Sequence, residues 1–227
     1  MLVLAIDTAL AACSVAVLDT GRGAIVGRES LPMVRGQAEV LMPMVARVMA
    51  QAGVDFASLD RVAVTVGPGS FTGLRVGIAA ARGIALAAGK PAVGLSTLAA
   101  FAAPHIAADD TEPVVAAIDA RHEQVYLQVF GPGGRTLVSP RIAPLREAIR
   151  AAATGATRVV GTAAELIVKA WPLSQDLPTV IDARAAPDID WVARLGAAAS
   201  DSQGPPKPLY LRAPDAQPQH AARLPRR

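Results

Sequence analysis

The 227-residue sequence holds a single cysteine, Cys13, only three histidines, and aromatic residues at 4%. A lone thiol excludes an intramolecular disulfide and a multi-cysteine zinc site. His105, His122 and His220 are scattered, and His122-Glu123 lacks the second histidine of a zinc-protease helix, so no protein-held metal is expected. Charged residues make up only 18%, and the net charge of +3 falls short of the clustered basic face of a dedicated nucleic-acid binder. Long apolar runs are also missing. A spanning helix needs about 20 consecutive apolar residues, and the most apolar stretch, Leu74 to Ala88, is interrupted by Arg75, Arg82 and glycines. No membrane span is expected. The opening residues up to Asp7 have no basic region and meet a carboxylate early, unlike a signal peptide, so the cytoplasm is the expected compartment.

What the sequence does have is apolar bulk of a small kind. Hydrophobic residues reach 52% and the mean hydropathy is +0.36, with alanine supplying most of the surplus. Short side chains permit close helix packing, and surplus apolar surface marks subunit interfaces. A GC-rich genome that encodes extra alanine explains the same composition, and both readings stay open.

Along the chain, Leu2 to Ile6 reads as a buried strand ending at Asp7 and Thr8. Cys13 to Leu18 and Ala24 to Leu31 read as strands, and Val40 to Ala50 as a helix containing Pro43. The β-branched run Arg61 to Val66 enters a glycine-rich turn, then a helix over Leu74 to Ala88 that Gly89 stops. Pro91 to Leu95 is a further strand and Ser96 to Ala107 a further helix. The pattern then restarts. Val114 to Ile118 ends at Asp119 as the first strand ends at Asp7, and Gln124 to Phe130 runs into the hairpin signal Gly131-Pro132-Gly133-Gly134. Helical patches at 144–152, 163–170 and 189–199 are short and broken by prolines. The expected fold is therefore a duplicated α/β architecture of the actin–hexokinase class. Its lobes are expected at 1–108 and 109–212, the second degenerate, followed by a disordered basic tail at 213–227.

Gly67, Gly69 and Gly73 lie between a strand and a helix, where phosphate loops sit, but fit neither the dinucleotide fingerprint nor the Gly-Lys-Ser/Thr ATP loop. Ser70 or Thr72 is placed to cap the following helix, which makes a tight structural turn the simpler reading and an anion site the sharper one. Asp7, Thr8 and Asp119 occupy strand ends where actin-like ATPases hold phosphate and Mg²⁺. Asp7 has no glycine before Thr8, and bulky Arg121 and His122 follow Asp119, so both carboxylates are read as turn caps. Asp7, Thr8, Gly69, Ser70 and Asp119 are the candidate nucleotide or anion contacts. Ser70 does not stand in a nucleophile elbow, and the sequence presents no complete catalytic constellation.

The run Gly67-Pro68-Gly69-Ser70-Phe71-Thr72-Gly73-Leu74-Arg75-Val76-Gly77 resembles the signature of the bacterial TsaB (YeaZ) family. In order along the chain, Leu4 to Thr8, Cys13 to Ala16, Leu41 to Met44, Gly94 to Leu98, Ala117 to Arg121 with Val125-Tyr126, and Tyr210-Leu211-Arg212 match it too. The resemblance implies a two-lobed actin-like fold and a part in making N6-threonylcarbamoyladenosine beside the tRNA anticodon. The implied role is a scaffold that binds a TsaD-type catalytic subunit through its first-lobe helices, with a TsaE-type ATPase needed for turnover. It also implies self-association through the same surface and contact with tRNA only through the complex. Where TsaD-like enzymes need a His-x-x-x-His pair, this chain reads Gln37-Ala38-Glu39-Val40-Leu41, which again implies no metal. No cofactor of its own is expected, while ATP or ADP at the complex interface is left open.

Helical spacing divides the glycine-run helix into two faces. Gly77, Ala81, Ile84 and Ala88 are expected in the core. Arg75, Ala79, Arg82 and Leu86 share the outer side and, with Val40, Met44 and Arg47 expected exposed on the preceding helix, form the candidate partner or dimer interface. The competing readings are a stand-alone actin-like ATPase or kinase, a degenerate glycoprotease-like protein, and a direct tRNA-binding module.

Overall fold

The computed structural model describes residues 1–153, 158–172, 176–200 and 204–212. The expected basic tail at 213–227 lies outside them.

The first sheet begins with β1 (Leu2–Asp7), β2 (Ala12–Asp19) and β3 (Ala24–Pro32), an antiparallel meander. α1 (Gln37–Ala52) then leads to β4 (Arg61–Gly67), which pairs parallel to β1. α2 (Phe71–Ala88) returns the chain to β5 (Ala92–Ser96), parallel to β4, and α3 (Thr97–Ala108) ends the lobe. The strand order is β3-β2-β1-β4-β5.

The second lobe repeats this plan element for element. β6 (Val114–Asp119), β7 (Gln124–Phe130) and β8 (Thr136–Pro144) form the meander. α4 (Leu145–Ala153), β9 (Arg158–Val160), α5 (Ala164–Lys169), β10 (Val180–Asp182) and α6 (Ile189–Ala198) follow. The order β10-β9-β6-β7-β8 is that of the first sheet, with each strand replaced by its counterpart. The duplicated α/β fold expected from the sequence is present, and the second copy is abbreviated rather than rearranged. No strand is legible in the sequence at β9 or β10. Each has three residues, too few for alternation to register.

Alternation in β1 sends Leu4 and Ile6 to one face, where they meet Leu41, Val45 and Val48 of α1 and Leu74, Ile78 and Ala81 of α2. Val3 and Ala5 go to the other face, where Ile189, Val192 and Ala193 of α6 cover them together with Ala100 of α3. Leu98, Phe101 and Ala102 of α3 pack on β6, against Val114, Ala116 and Ile118. Each lobe's last helix thus serves the other lobe's sheet or the space between the sheets.

Two buried arginines at corresponding positions, the first residues of β4 and β9, fasten these crossings. Arg61 donates to the carbonyls of Gly196 (2.7 Å) and Ala199 (2.5 Å) at the end of α6. Arg158 donates to the carbonyls of His105 (2.6 Å), Asp109 (2.6 Å) and Glu112 at the end of α3. A guanidinium beside helix C-terminal carbonyls meets both their hydrogen-bonding needs and the negative end of the dipole.

α2 by itself is long and apolar enough to cross a membrane. Its residues Leu74, Ile78, Ala81, Ile84 and Ala85 are buried against the first sheet, which makes it the core helix of this lobe.

Candidate functional site

The strand end at Asp7 is closed. Gly69, Gly73 and Gly77 form one stripe where α2 and the turn before it press onto the β1–β2 turn. A Cβ at Gly69 would collide with the Ala9 carbonyl, at Gly73 with the Thr8 carbonyl, and at Gly77 with the Thr8 hydroxyl. At Gly69 and Gly73 the neighbour is backbone, and approaches this close admit only glycine. Hydrogen bonds lock the contact. Ser70 N–H donates to the Ala9 carbonyl (2.7 Å), and the Thr8 hydroxyl to the Gly73 carbonyl (2.7 Å). Ser70 caps α2 by accepting from Gly73 N–H at 3.3 Å.

Asp7 and Thr8 are shielded from solvent beneath this contact, at 0% and 1% exposure. The Asp7 Oδ1 accepts from the Thr65 hydroxyl and from Ala9 N–H (3.2 Å), while Oδ2 is buried without a hydrogen-bond partner among the described residues. Burial pushes the Asp7 pKa up to about 6, against the opposing pull of the Thr65 and Ala9 hydrogen bonds. Asp119 occupies the corresponding end of β6 but is exposed, and its Oδ1 accepts from Arg121 N–H (2.7 Å). Each carboxylate therefore takes the amide two residues on, the geometry of an Asx turn. Of the five candidate ligand contacts, Ser70 and Asp119 face solvent, Gly69 is half-buried, and Asp7 and Thr8 are out of reach. Among the described residues no group of three His, Cys, Asp or Glu side chains is placed to hold a metal.

The turn after Asp119 has an unusual backbone. Arg121, His122 and Glu123 take positive φ in succession, at 63°, 53° and 57°. Side chains with a Cβ resist this region. The turn is held by Gln124 N–H to the Arg121 carbonyl (3.1 Å) and Leu145 N–H to the Glu123 carbonyl (2.8 Å).

The outer face of α2 is open. Arg75, Ala79, Arg82 and Leu86 are all exposed, Leu86 at 84%. On the inner side Gly77, Ala81 and Ile84 are buried, but Ala88, expected in the core, is only half-buried and lines a groove instead. On α1 the expectation for Met44 is overturned. Met44 is 0% exposed, because it follows Leu41 by three residues and so falls on the buried face with Val45 and Val48. Val40 is half-buried against the same cluster, and exposed Arg47 forks onto Glu29 of β3 (2.7 and 2.9 Å). The exposed large apolar residue of α1 is Met42. With Phe56, Ala57, Ala80, Gly83 and Ala87 it lines an apolar groove of about 620 Å³ between the helices. Met42 and Phe56 were missed in the sequence because the face of a helix interrupted by Pro43, and of a three-residue turn, is poorly set by periodicity.

The segment 204–212 runs back to this lobe. Pro206 lies against Gly94 of β5, and Leu209 N–H donates to the Val66 carbonyl (2.7 Å). Tyr210 stacks on Phe71 at 5.5 Å, and Arg212 reaches the Ala120 carbonyl of the second lobe (3.2 Å).

The chain matches solved structures over nearly its whole length. YeaZ from Pseudomonas aeruginosa superposes with a TM-score of 0.75 at 30% identity, covering 92% of this chain and 99% of that one. The chain belongs to the TsaB (YeaZ) family. The TsaB proteins of Escherichia coli and Haemophilus influenzae, curated as tRNA threonylcarbamoyladenosine biosynthesis proteins, are 40% and 39% identical over 56% and 54% of this chain. These alignments span about half the length of those relatives, 53% and 51%. The family model described as "TsaD: tRNA N6-adenosine threonylcarbamoyltransferase" also matches, over residues 33–170. That match runs from α1 through α5, and so includes the open helical face of α2 described above.

Proposed function

We propose that this chain acts in tRNA threonylcarbamoyladenosine biosynthesis as the non-catalytic partner of a TsaD-type threonylcarbamoyltransferase, in the cytoplasm and together with a TsaE-type ATPase. The observation that carries this reading is the exposed outer face of α2, where Ala79 stands between Arg75 and Arg82 and Leu86 follows one turn on, beside an apolar groove. Such a face needs a second burial partner. The TsaD family model matches this chain across α1 and α2, which supports a helix-on-helix junction with a TsaD-type subunit. In isolation the same face is satisfied by a second copy, and tRNA is met only through the assembled complex.

A stand-alone ATPase is disfavoured by the glycine stripe packed on the β1–β2 turn and by the burial of Asp7 and Thr8. The test is reconstitution with the TsaD-type and TsaE-type subunits of the same organism. The expected result is a stable complex by size-exclusion chromatography, with threonylcarbamoyl transfer to tRNA that depends on this chain and none from the chain alone. Transfer or steady-state ATP hydrolysis by the purified chain, or no association with the TsaD-type subunit, would overturn the reading.

A further inference from the structure

α2 bears two arginines and no acidic residue. Arg47 on α1 already has a carboxylate partner in Glu29, whereas Arg75 has none among the described residues. Instead Arg75 is held by aromatic groups. Its guanidinium lies 3.6 Å from the centroid of the Phe71 ring, one helical turn earlier. Its Nε donates to the Tyr210 hydroxyl at 3.1 Å. Tyr210 in turn stacks on Phe71 at an interplanar angle of 28°. The three side chains form a closed triangle, although Tyr210 is 135 residues away in sequence.

This arrangement restrains a side chain that otherwise carries high rotamer entropy. It uses Nε and one face of the guanidinium, and among the described residues no hydrogen bond engages the terminal amines of exposed Arg75. A restrained guanidinium with both terminal amines unengaged can take a carboxylate in the two-pronged geometry that makes such pairs strong. Leu209 and Arg212 anchor the residues on either side of Tyr210–Leu211, to the Val66 and Ala120 carbonyls, so the tyrosine is itself held in place.

We infer that Arg75 is a preorganised carboxylate receptor on the docking face, and that Tyr210 is its positioning residue. The inference rests on the docking reading above and adds the partner's chemistry, an aspartate or glutamate facing Arg75. Preorganisation acts by removing the ordering cost at the moment of binding.

The experiment is a double-mutant cycle with the purified TsaD-type subunit, reading Kd at two salt concentrations and the melting temperature of every variant. Arg75→Gln is expected to weaken binding roughly tenfold and flatten its salt dependence. Tyr210→Leu is expected to weaken it roughly fivefold, and Tyr210→Phe, which keeps the stack, roughly twofold. Together, Arg75→Gln and Tyr210→Leu should bind no worse than Arg75→Gln alone, because Tyr210 acts through Arg75. Multiplying losses, or an unchanged Kd for Arg75→Gln, overturn the inference. Leu86→Glu separates the two failures: if it abolishes binding while Arg75→Gln does not weaken it, only the receptor fails. If Leu86→Glu also binds normally, the docking face is misplaced.

Discussion

The first lobe covers the outer face of its sheet with helices of 16 and 18 residues, where the second lobe uses 9 and 6. The sheets share one strand order, and both lobes start the fourth strand with a buried arginine that ties down a crossing helix. What differs is everything beyond coverage. α4 and α5 supply Ala148, Ala152, Ala164 and Ile167 to the second core and extend little further. α1 and α2 bury their inner faces equally well, yet continue into an outer surface with Met42 and Leu86 exposed. A six-residue helix is enough to close a core. The additional turns of α2 carry the surface on which the proposed docking rests.

The sharpest test of the shared device is to remove it from each lobe in turn. Arg61→Met and Arg158→Met each leave helix-end carbonyls buried without donors, and each is expected to cost about 3 kcal/mol by chemical denaturation. Equal losses support a matched pair, whereas a loss confined to Arg61 would mean that the second lobe contributes little to global stability. The difference in helix length is tested by charge. Leu86→Glu should weaken association at least a hundredfold with an unchanged circular dichroism spectrum, since a central unpaired charge is costly. Ala79→Glu should act in the same direction, and Leu166→Glu on α5 should leave binding within twofold of wild type.

The two strand-end carboxylates differ in burial, which pH can read. The folded-state pKa of Asp7 is raised from 3.8 to about 6, so the folded protein prefers the protonated acid. That contribution is fully present below pH 3.8 and is lost as pH rises through about 6, a span worth about 3 kcal/mol. Asp7→Asn should therefore gain stability relative to wild type between pH 4 and pH 7. A constant difference across that range would show that Asp7 does not titrate in the fold. The smallest effect is expected at the cap of α2, where Ser70→Ala should cost about 1 kcal/mol. α5, with Ala163 at the corresponding position and no side-chain cap, has nothing comparable to lose.

The first lobe was largely legible in the sequence because its elements are long enough to show their period. β1 to β5 and α1 to α3 all appear within a few residues of where spacing put them. The second lobe was legible only in its meander and helical patches, since three-residue strands carry no pattern. The outer face of α2 follows from helical spacing, whereas the apolar stripe Leu41, Val45 and Val48 is wide enough on α1 to take in Met44, which was expected outside it. The Thr65 hydroxyl on Asp7, the carbonyls around Arg61 and the Tyr210–Phe71 stack join residues 58, 135 or more positions apart. No local rule reports such pairs. Tyr210-Leu211-Arg212 was visible as part of a family pattern, but its contacts with Phe71, Arg75 and Ala120 became visible only when the chain was folded back on α2.

The crossing of α6 onto the first sheet has a consequence for how the protein is made. β1 to β5 are complete once Ser96 has been synthesised, but the apolar face formed by Val3, Ala5, Ala16 and Ala63 needs Ile189, Val192 and Ala193 to cover it. At ordinary translation rates that face waits roughly 5–20 s for its cover to leave the ribosome. Until then the nascent first lobe is a sheet finished on one side and sticky on the other, and α6 has to be made before the first sheet is safe from aggregation.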